Sequence, residues 1–209
     1  MKIQIIAEGP TDRAILHALI LMIKRDSIEF LEESNSQMNH RGKHSLISNY
    51  KIFAKFLHNA YHRCSDVIVL CVDNDGGEID RSGIGSKNKG ILNKFVTQFI
   101  DSNAYKYPSI NPEYIIAVPV QTIDYWMKCI DEKEVNCHKI RAIEQIPQQR
   151  IKAETYGEKN IYLNWLINEK ALNAKIEKIK NDSTLLDKLF CLPSFKDFEV
   201  QLTSTLVDK

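Results

Sequence analysis

Acidic side chains stand directly after two strongly apolar stretches of this 209-residue chain. Glu8 follows the run KIQIIA, and the pair Asp73 and Asp75 follows the run DVIVLCV. Carboxylates that are gathered in one place repel each other, so at neutral pH they either keep protons or recruit a cation. Carboxylate oxygens are the ligands that hard divalent ions such as Mg2+ and Mn2+ require. The two acidic segments therefore predict a site for a divalent cation.

The spacing around these segments extends the candidate site. Asp73 and Asp75 are two residues apart, so in an extended segment their side chains can point the same way. Asp12 lies about one helical turn beyond Glu8 and is a further candidate ligand, or a partner of the ligands. Each segment alone also fits a simple turn or a helix start, because Asp, Asn and Gly favour turns and acids suit helix N-termini. The presence of both segments at predicted strand ends favours the metal site.

The elements that must position these acids predict an α/β fold. Short apolar runs predict strands at 2–7, 66–72 and 113–118. Apolar residues at helical spacing predict helices at 13–24, 50–62, 91–102 and from 122 onward, with Trp126 as a core anchor. This alternation indicates a mostly parallel sheet with helices on its faces. Ligands bind such sheets at the carboxyl ends of the strands, where the acids fall.

The rest of the chain is more polar, and its composition narrows the class of protein. Residues 25–49 are predicted to be a long exposed loop, and residues 161–180 an amphipathic helix with a lysine-rich face. We therefore expect an α/β domain over 1–131 and a helical extension over 132–209 that packs on it. A net charge of +1, scattered cysteines and the lack of a long apolar run predict a cytoplasmic protein without membrane association or a disulfide framework.

Three segments carry a resemblance to a known family. IIAEGPTDRAIL and VIVLCVDNDGG resemble the two signature segments of the TOPRIM domain, a glutamate after the first strand and a DxD after a later one. The EGPTDRA form is similar to TOPRIM domains of the OLD-family nuclease type and to small stand-alone relatives. AVPVQTIDYWMKCID resembles a stretch of the small relatives in which Asp124 matches an acidic position that is more often glutamate. The resemblance covers roughly residues 1–131 and implies a TOPRIM-like sheet flanked by helices.

The resemblance implies a nuclease that cleaves nucleic-acid phosphodiesters with Mg2+ or Mn2+. It gives the catalytic metal-binding roles to Glu8, Asp73 and Asp75, and makes Asp12 and Asp124 further candidate ligands. It also suggests that a lysine after the DxD stabilises the transition state, for which we take Lys87. The basic residues that could neutralise phosphate, or could equally be exposed loop charges, are Arg41, Lys43, Lys87 and Lys89.

Several functional readings stay open from the sequence. The leading one is a metal-dependent nuclease that acts on DNA or RNA. The resemblance alone implies a role in defence against foreign nucleic acid such as phage and makes a separate ATPase chain a conceivable partner. The alternative is a non-catalytic TOPRIM-like module that binds nucleic acid or an ATPase partner. A third reading is a small-molecule phosphotransferase or phosphatase that uses the acidic pair. Association into a homo-oligomer is open in all three.

Overall fold

In the part of the chain that the structure describes, four parallel strands form a central sheet. The computed structural model describes residues 1–24, 28–31, 46–74, 85–104, 106–119, 122–132, 146, 148–157 and 164–207. The strands are β1 (Lys2–Ala7), β2 (Glu29–Phe30), β3 (Val67–Cys71) and β4 (Glu113–Ala117), in the spatial order β2-β1-β3-β4. In register, Ile5 lies opposite Val69, and Val69 lies opposite Ile115. The predicted α/β class with a mostly parallel sheet is confirmed.

Helices cover both faces of this sheet. They are α1 (Pro10–Ile23), α2 (Tyr50–His62), α3 (Ser86–Asn103), α4 (Asp124–Asp131), α5 (Gln148–Tyr156), α6 (Asn164–Asn181), a 3-10 helix (Ser183–Lys188) and α7 (Pro193–Val207). α1 begins at Pro10. Backbone N–H groups in the first turn of a helix have no acceptor within the helix, so proline, which lacks this group, sacrifices no hydrogen bond there. α2 begins after Asn49, whose side chain accepts hydrogen bonds from the first turn. In the part of the chain described, no helix is long and apolar enough to cross a membrane.

Alternation along the strands divides the apolar side chains between two cores. Ile5 and Val69 point into the larger core, which α1 and the helices of the C-terminal half complete. Ile6 and Leu70 point into the smaller core, beneath α2 and α3. The larger core therefore joins the sheet to the helical C-terminal region, whose helical character is confirmed.

Trp126 of α4 anchors the larger core, as predicted. It is 1% exposed, and its indole nitrogen donates a hydrogen bond of 3.2 Å to the Ser194 hydroxyl. Its ring packs edge-on against Phe195 of α7, with a centroid distance of 5.2 Å. This contact ties α4, which follows the sheet, to the last described helix.

Some parts of the fold were not predicted. The span 25–49 was predicted to be a loop, yet Glu29 and Phe30 form β2 and pair in parallel with Lys2 and Ile3. A two-residue strand is too short to show an apolar period, which is why the prediction was wrong there.

Cys191 forms a disulfide whose partner lies outside the described residues, and a single bond of this kind was not among the predictions.

Candidate functional site

The turn from β1 into α1 holds Asp12 at the carboxyl edge of the sheet. Asp12 is the third residue of α1, and its Oδ2 accepts a hydrogen bond of 2.9 Å from the backbone N–H of Gly9. This bond is the reciprocal half of a capping box, and it satisfies a donor at the helix start. The carboxylate also benefits from the positive end of the α1 dipole. Capping therefore fixes the position of Asp12 beside the end of β1.

Asp73 follows β3 and is held by two neighbouring segments. It is 3% exposed, and its Oδ1 accepts a hydrogen bond of 2.9 Å from the backbone N–H of Ile123, just before α4. The side-chain amide of Asn88, in α3, donates to the backbone carbonyl of Asp73 at 3.1 Å. The backbone that follows β4 thus orients the Asp73 carboxylate. Asn88 of α3, on the opposite face of the sheet, holds the main chain of Asp73.

Asp124 opens α4 and is fully buried. Its Oδ1 accepts a hydrogen bond of 2.7 Å from the Tyr156 hydroxyl. Its Oδ2 accepts one of 3.0 Å from the Thr122 hydroxyl and lies 3.5 Å from the ammonium of Lys152. Two of these three partners come from α5, so a helix of the C-terminal region reaches the acidic edge of the sheet.

The acids at this edge are close enough to disturb one another's ionisation. Burial, reinforced by the charge of Asp124, raises the pKa of Asp12 to about 6, although Lys152 acts in the opposite direction. Burial also raises the pKa of Asp73 well above its usual range, and the charges of Asp12 and Glu8 add to that rise. The structure therefore brings together Glu8, Asp12, Asp73 and Asp124 among the residues predicted for the site.

Lys152 is a member of this cluster that the sequence analysis missed. Burial acts to lower the pKa of Lys152, but the charges of Asp124, Asp73 and Asp12 outweigh it and raise the pKa. The side chain is 44% exposed, so the ammonium stays charged and remains reachable from solvent. No local signal marks it, because its approach to Asp124 depends on how α5 packs against α4.

The other predicted site residues lie elsewhere or outside the described residues. Lys87 is exposed in the first turn of α3, which begins near the acidic edge. The ammonium of Lys89 lies 2.6 and 2.8 Å from the two carboxylate oxygens of Asp197 in α7, so that charge is committed to an ion pair. The predicted roles of Asp75, Arg41 and Lys43 fall outside the described residues.

The chain matches no family model, no curated protein and no solved structure. The TOPRIM resemblance therefore remains a prediction from the sequence segments that carry it.

The donors at the acidic edge suit a hard divalent cation in type and charge. Glu8, Asp12 and Asp73 offer carboxylate oxygens. Burial, and then mutual repulsion, raise the pKa values of Asp12 and Asp73, and a bound cation would offset both effects. Among the described residues, no group of three or more His, Cys, Asp or Glu side chains is placed to hold an ion. The further ligand predicted for the site, Asp75, lies outside them.

Proposed function

We propose that this chain is a Mg2+- or Mn2+-dependent nuclease that hydrolyses phosphodiester bonds of nucleic acid. The observation that carries the proposal is the cluster at the carboxyl edge, where burial and mutual repulsion raise the pKa values of Asp12 and Asp73 around a charged lysine. Perturbed acids with a nearby cation in an α/β sheet are typical of catalytic sites. The TOPRIM resemblance of the same segments supports a phosphodiester as the substrate.

Each residue of the cluster has a role in this proposal. Glu8, Asp73 and Asp75 would hold the ion, with Asp12 beside them. When bound, the ion supplies Lewis-acid stabilisation of the charge on the transferring phosphoryl group. The backbone N–H of Ile123 holds Asp73 in one orientation.

Lys152 would supply the positive charge that faces the substrate. Its ammonium is charged and partly exposed, so it can donate to a phosphate oxygen that enters between it and the carboxylates. The family resemblance suggested Lys87 for this stabilisation of the transition state. Lys87 lies exposed in α3, and in this proposal it contacts the phosphate backbone of the nucleic acid. Because the net charge is only +1, attraction of a polyanion has to come from such local cations. A separate ATPase partner and a role in defence belong to the same proposal.

The test is a cleavage assay on the full chain with single- and double-stranded DNA and RNA, in Mg2+, Mn2+ or a chelator. We expect cleavage that needs the metal, and a loss on the order of 10²-fold or more in Glu8→Gln and Asp73→Asn. Glu113→Gln and Asp101→Asn are the matched controls, since both acids are exposed and Glu113 lies at the opposite edge of the sheet. Unchanged cleavage in both site variants would remove this cluster as the catalyst. Nucleic-acid binding without turnover would favour the non-catalytic module.

A further inference from the structure

Asp124 differs from the other acids of the cluster in the donors that surround it. Each of its carboxylate oxygens accepts a hydrogen bond from a hydroxyl group, Tyr156 on Oδ1 and Thr122 on Oδ2, and Lys152 lies beside Oδ2. A carboxylate offers about four acceptor directions; the two hydroxyls take up one on each oxygen, and the ammonium of Lys152 stands 3.5 Å from Oδ2. A metal ion that approached Asp124 would have to compete with these partners for the same two oxygens.

Binding of an ion at Asp124 would be unfavourable for two physical reasons. The hydroxyls of Thr122 and Tyr156 belong to buried residues, and a buried donor that loses its acceptor keeps its full desolvation cost. The ammonium of Lys152, 3.5 Å from Oδ2, also repels any cation that comes to the same oxygen. Asp73 and Asp12 experience Lys152 only as a more distant charge, so an ion is better received by them.

The packing of α5 places Lys152 within reach of Asp124. Buried Ile151 and Tyr156 seat α5 in the larger core, and Glu154 forms an ion pair of 2.6 Å with Lys128 of α4. These contacts fix the backbone of Lys152 but not its long and partly exposed side chain. Among the acids of the cluster, Asp124 forms the ion pair with this ammonium, at 3.5 Å.

We propose that Asp124 is a positioning residue, which holds the ammonium of Lys152 beside Asp73 and Asp12 and does not itself bind the divalent cation. This inference rests on the proposed function for its catalytic consequence. Its structural content, the tether between Asp124 and Lys152, can be measured without any activity.

The first measurement is Mn2+ binding by calorimetry to the full chain, to Asp73→Asn and to Asp124→Asn. We expect the dissociation constant to rise about tenfold or more in Asp73→Asn and to stay within about twofold in Asp124→Asn. An equal loss of affinity in the two variants would overturn the proposal, because Asp124 would then be behaving as a ligand.

The second measurement is the rate at which acetic anhydride modifies Lys152, read by mass spectrometry with exposed Lys94 as the internal reference. We expect the rate at Lys152 to rise severalfold in Asp124→Asn and the rate at Lys94 to stay constant, since only the tethered ammonium is released. An unchanged rate at Lys152 would show that no tether exists. This readout holds even if the chain neither binds Mn2+ nor cleaves nucleic acid, so it separates failure of the inference from failure of the proposed function.

The third measurement is kinetic. If Asp124 acts through Lys152, then Asp124→Asn, Lys152→Met and the double variant should lose similar factors in kcat, with little change in KM, because residues that act as a unit are not additive. Fully additive losses would contradict the tether.

If Asp124→Asn does not fold, a Mn2+-soaked crystal of the unaltered chain decides the point. An Asp124 oxygen within about 2.0–2.6 Å of the ion would overturn the proposal. An ion held by Asp73, with Asp124 still bonded to Tyr156 and Lys152, would support it.

Discussion

In the absence of a bound ion, the acids at the carboxyl edge make the folding stability of the protein depend on pH. The folded-state pKa of Asp12, about 6, lies above the ordinary value of 3.8, so folding favours the protonated form. The stability contributed by this group is therefore fully present below pH 3.8 and is lost as the pH rises through 6. A difference of about two pKa units corresponds to about 3 kcal/mol. At neutral pH the cluster lowers stability, a cost that is common at functional sites.

We predict that Asp12→Asn stabilises the metal-free chain at neutral pH. The new side chain removes the buried charge, and its carbonyl oxygen can still accept the hydrogen bond from the backbone N–H of Gly9. The gain in unfolding free energy should be about 1–3 kcal/mol at pH 7.5 and should shrink as the pH falls from 6 toward 4, as measured by urea denaturation in a chelator. The exposed Asp101→Asn should change stability by no more than about 0.5 kcal/mol. A loss of stability in Asp12→Asn at pH 7.5 would be inconsistent with charge repulsion at this edge.

Among the elements, strand β4 lies at the edge of the described sheet, and one side chain covers its backbone. The amide of Gln201, in α7, accepts a hydrogen bond from the backbone N–H of Ile116 and donates one to its carbonyl, each at 3.0 Å. The amide of Gln201 also donates a hydrogen bond of 2.9 Å to the carboxylate of Asp197, which forms an ion pair with Lys89 of α3. In this way α7 takes the place of a neighbouring strand and protects the edge from pairing with other chains.

We predict that Gln201→Leu lowers the unfolding free energy by about 2–4 kcal/mol, because it leaves both backbone groups of Ile116 without their side-chain partner. Gln201→Glu should cost less, since it retains one acceptor, yet it places a second charge beside Asp197. Thr203→Ala, an exposed change in the same helix, serves as the control and should shift stability by less than about 0.5 kcal/mol. Equal melting temperatures for Gln201→Leu and the control would mean that solvent satisfies the edge.

Two glycines flank the acidic site and differ in the space around them. A Cβ atom at Gly85 would stand 2.6 Å from both the side-chain oxygen of Asn74 and a methyl group of Val118, whereas one at Gly9 would meet nothing closer than 3.5 Å. We predict that Gly85→Ala costs about 1–3 kcal/mol through overpacking, and Gly9→Ala no more than about 1 kcal/mol. Thermal unfolding of the two variants compares them directly. If Gly85→Ala were the milder change, the close approach of α3 to the end of β3 would not exist in solution.

The elements that follow a local period were predictable, and those that depend on distant contacts were not. Helical spacing of apolar residues predicted the helix at 50–62, and Phe53, Phe56 and Leu57 lie buried on the face that this spacing sets. β2 could not be found, since its two residues are strand only through pairing with β1. Lys152 was missed for the same reason, because its place beside Asp124 depends on long-range packing of α5.

At the scale of the whole molecule, one apolar core links the sheet to the C-terminal helices. Buried residues of β1, β3 and β4 share a single cluster with buried residues of α5, α6 and α7. Polar contacts reinforce this packing. The ammonium of Lys188 donates hydrogen bonds to the backbone carbonyls of Ile130 and Glu132 at the end of α4. The ammonium of Lys24, after α1, donates one to the backbone carbonyl of Leu206 in α7. We expect a core of this kind to unfold as one unit, with the predicted extension over 132–209 packed on the sheet domain.

We therefore predict that the chain unfolds in a single transition and that residues 1–131 do not fold alone. Phe198→Ala, a buried change in α7 beside Trp126, should lower the unfolding free energy by about 3–5 kcal/mol. It should move the transitions seen by circular dichroism and by tryptophan fluorescence together, because a cavity in a shared core weakens the sheet and the helices at once. Val200→Ala in the same helix, 54% exposed, should leave both transitions in place. Two separate transitions, or a cooperative melt of the isolated 1–131 segment, would instead establish the C-terminal helices as an independent unit, and Lys152 would then reach the acidic edge only by docking between domains.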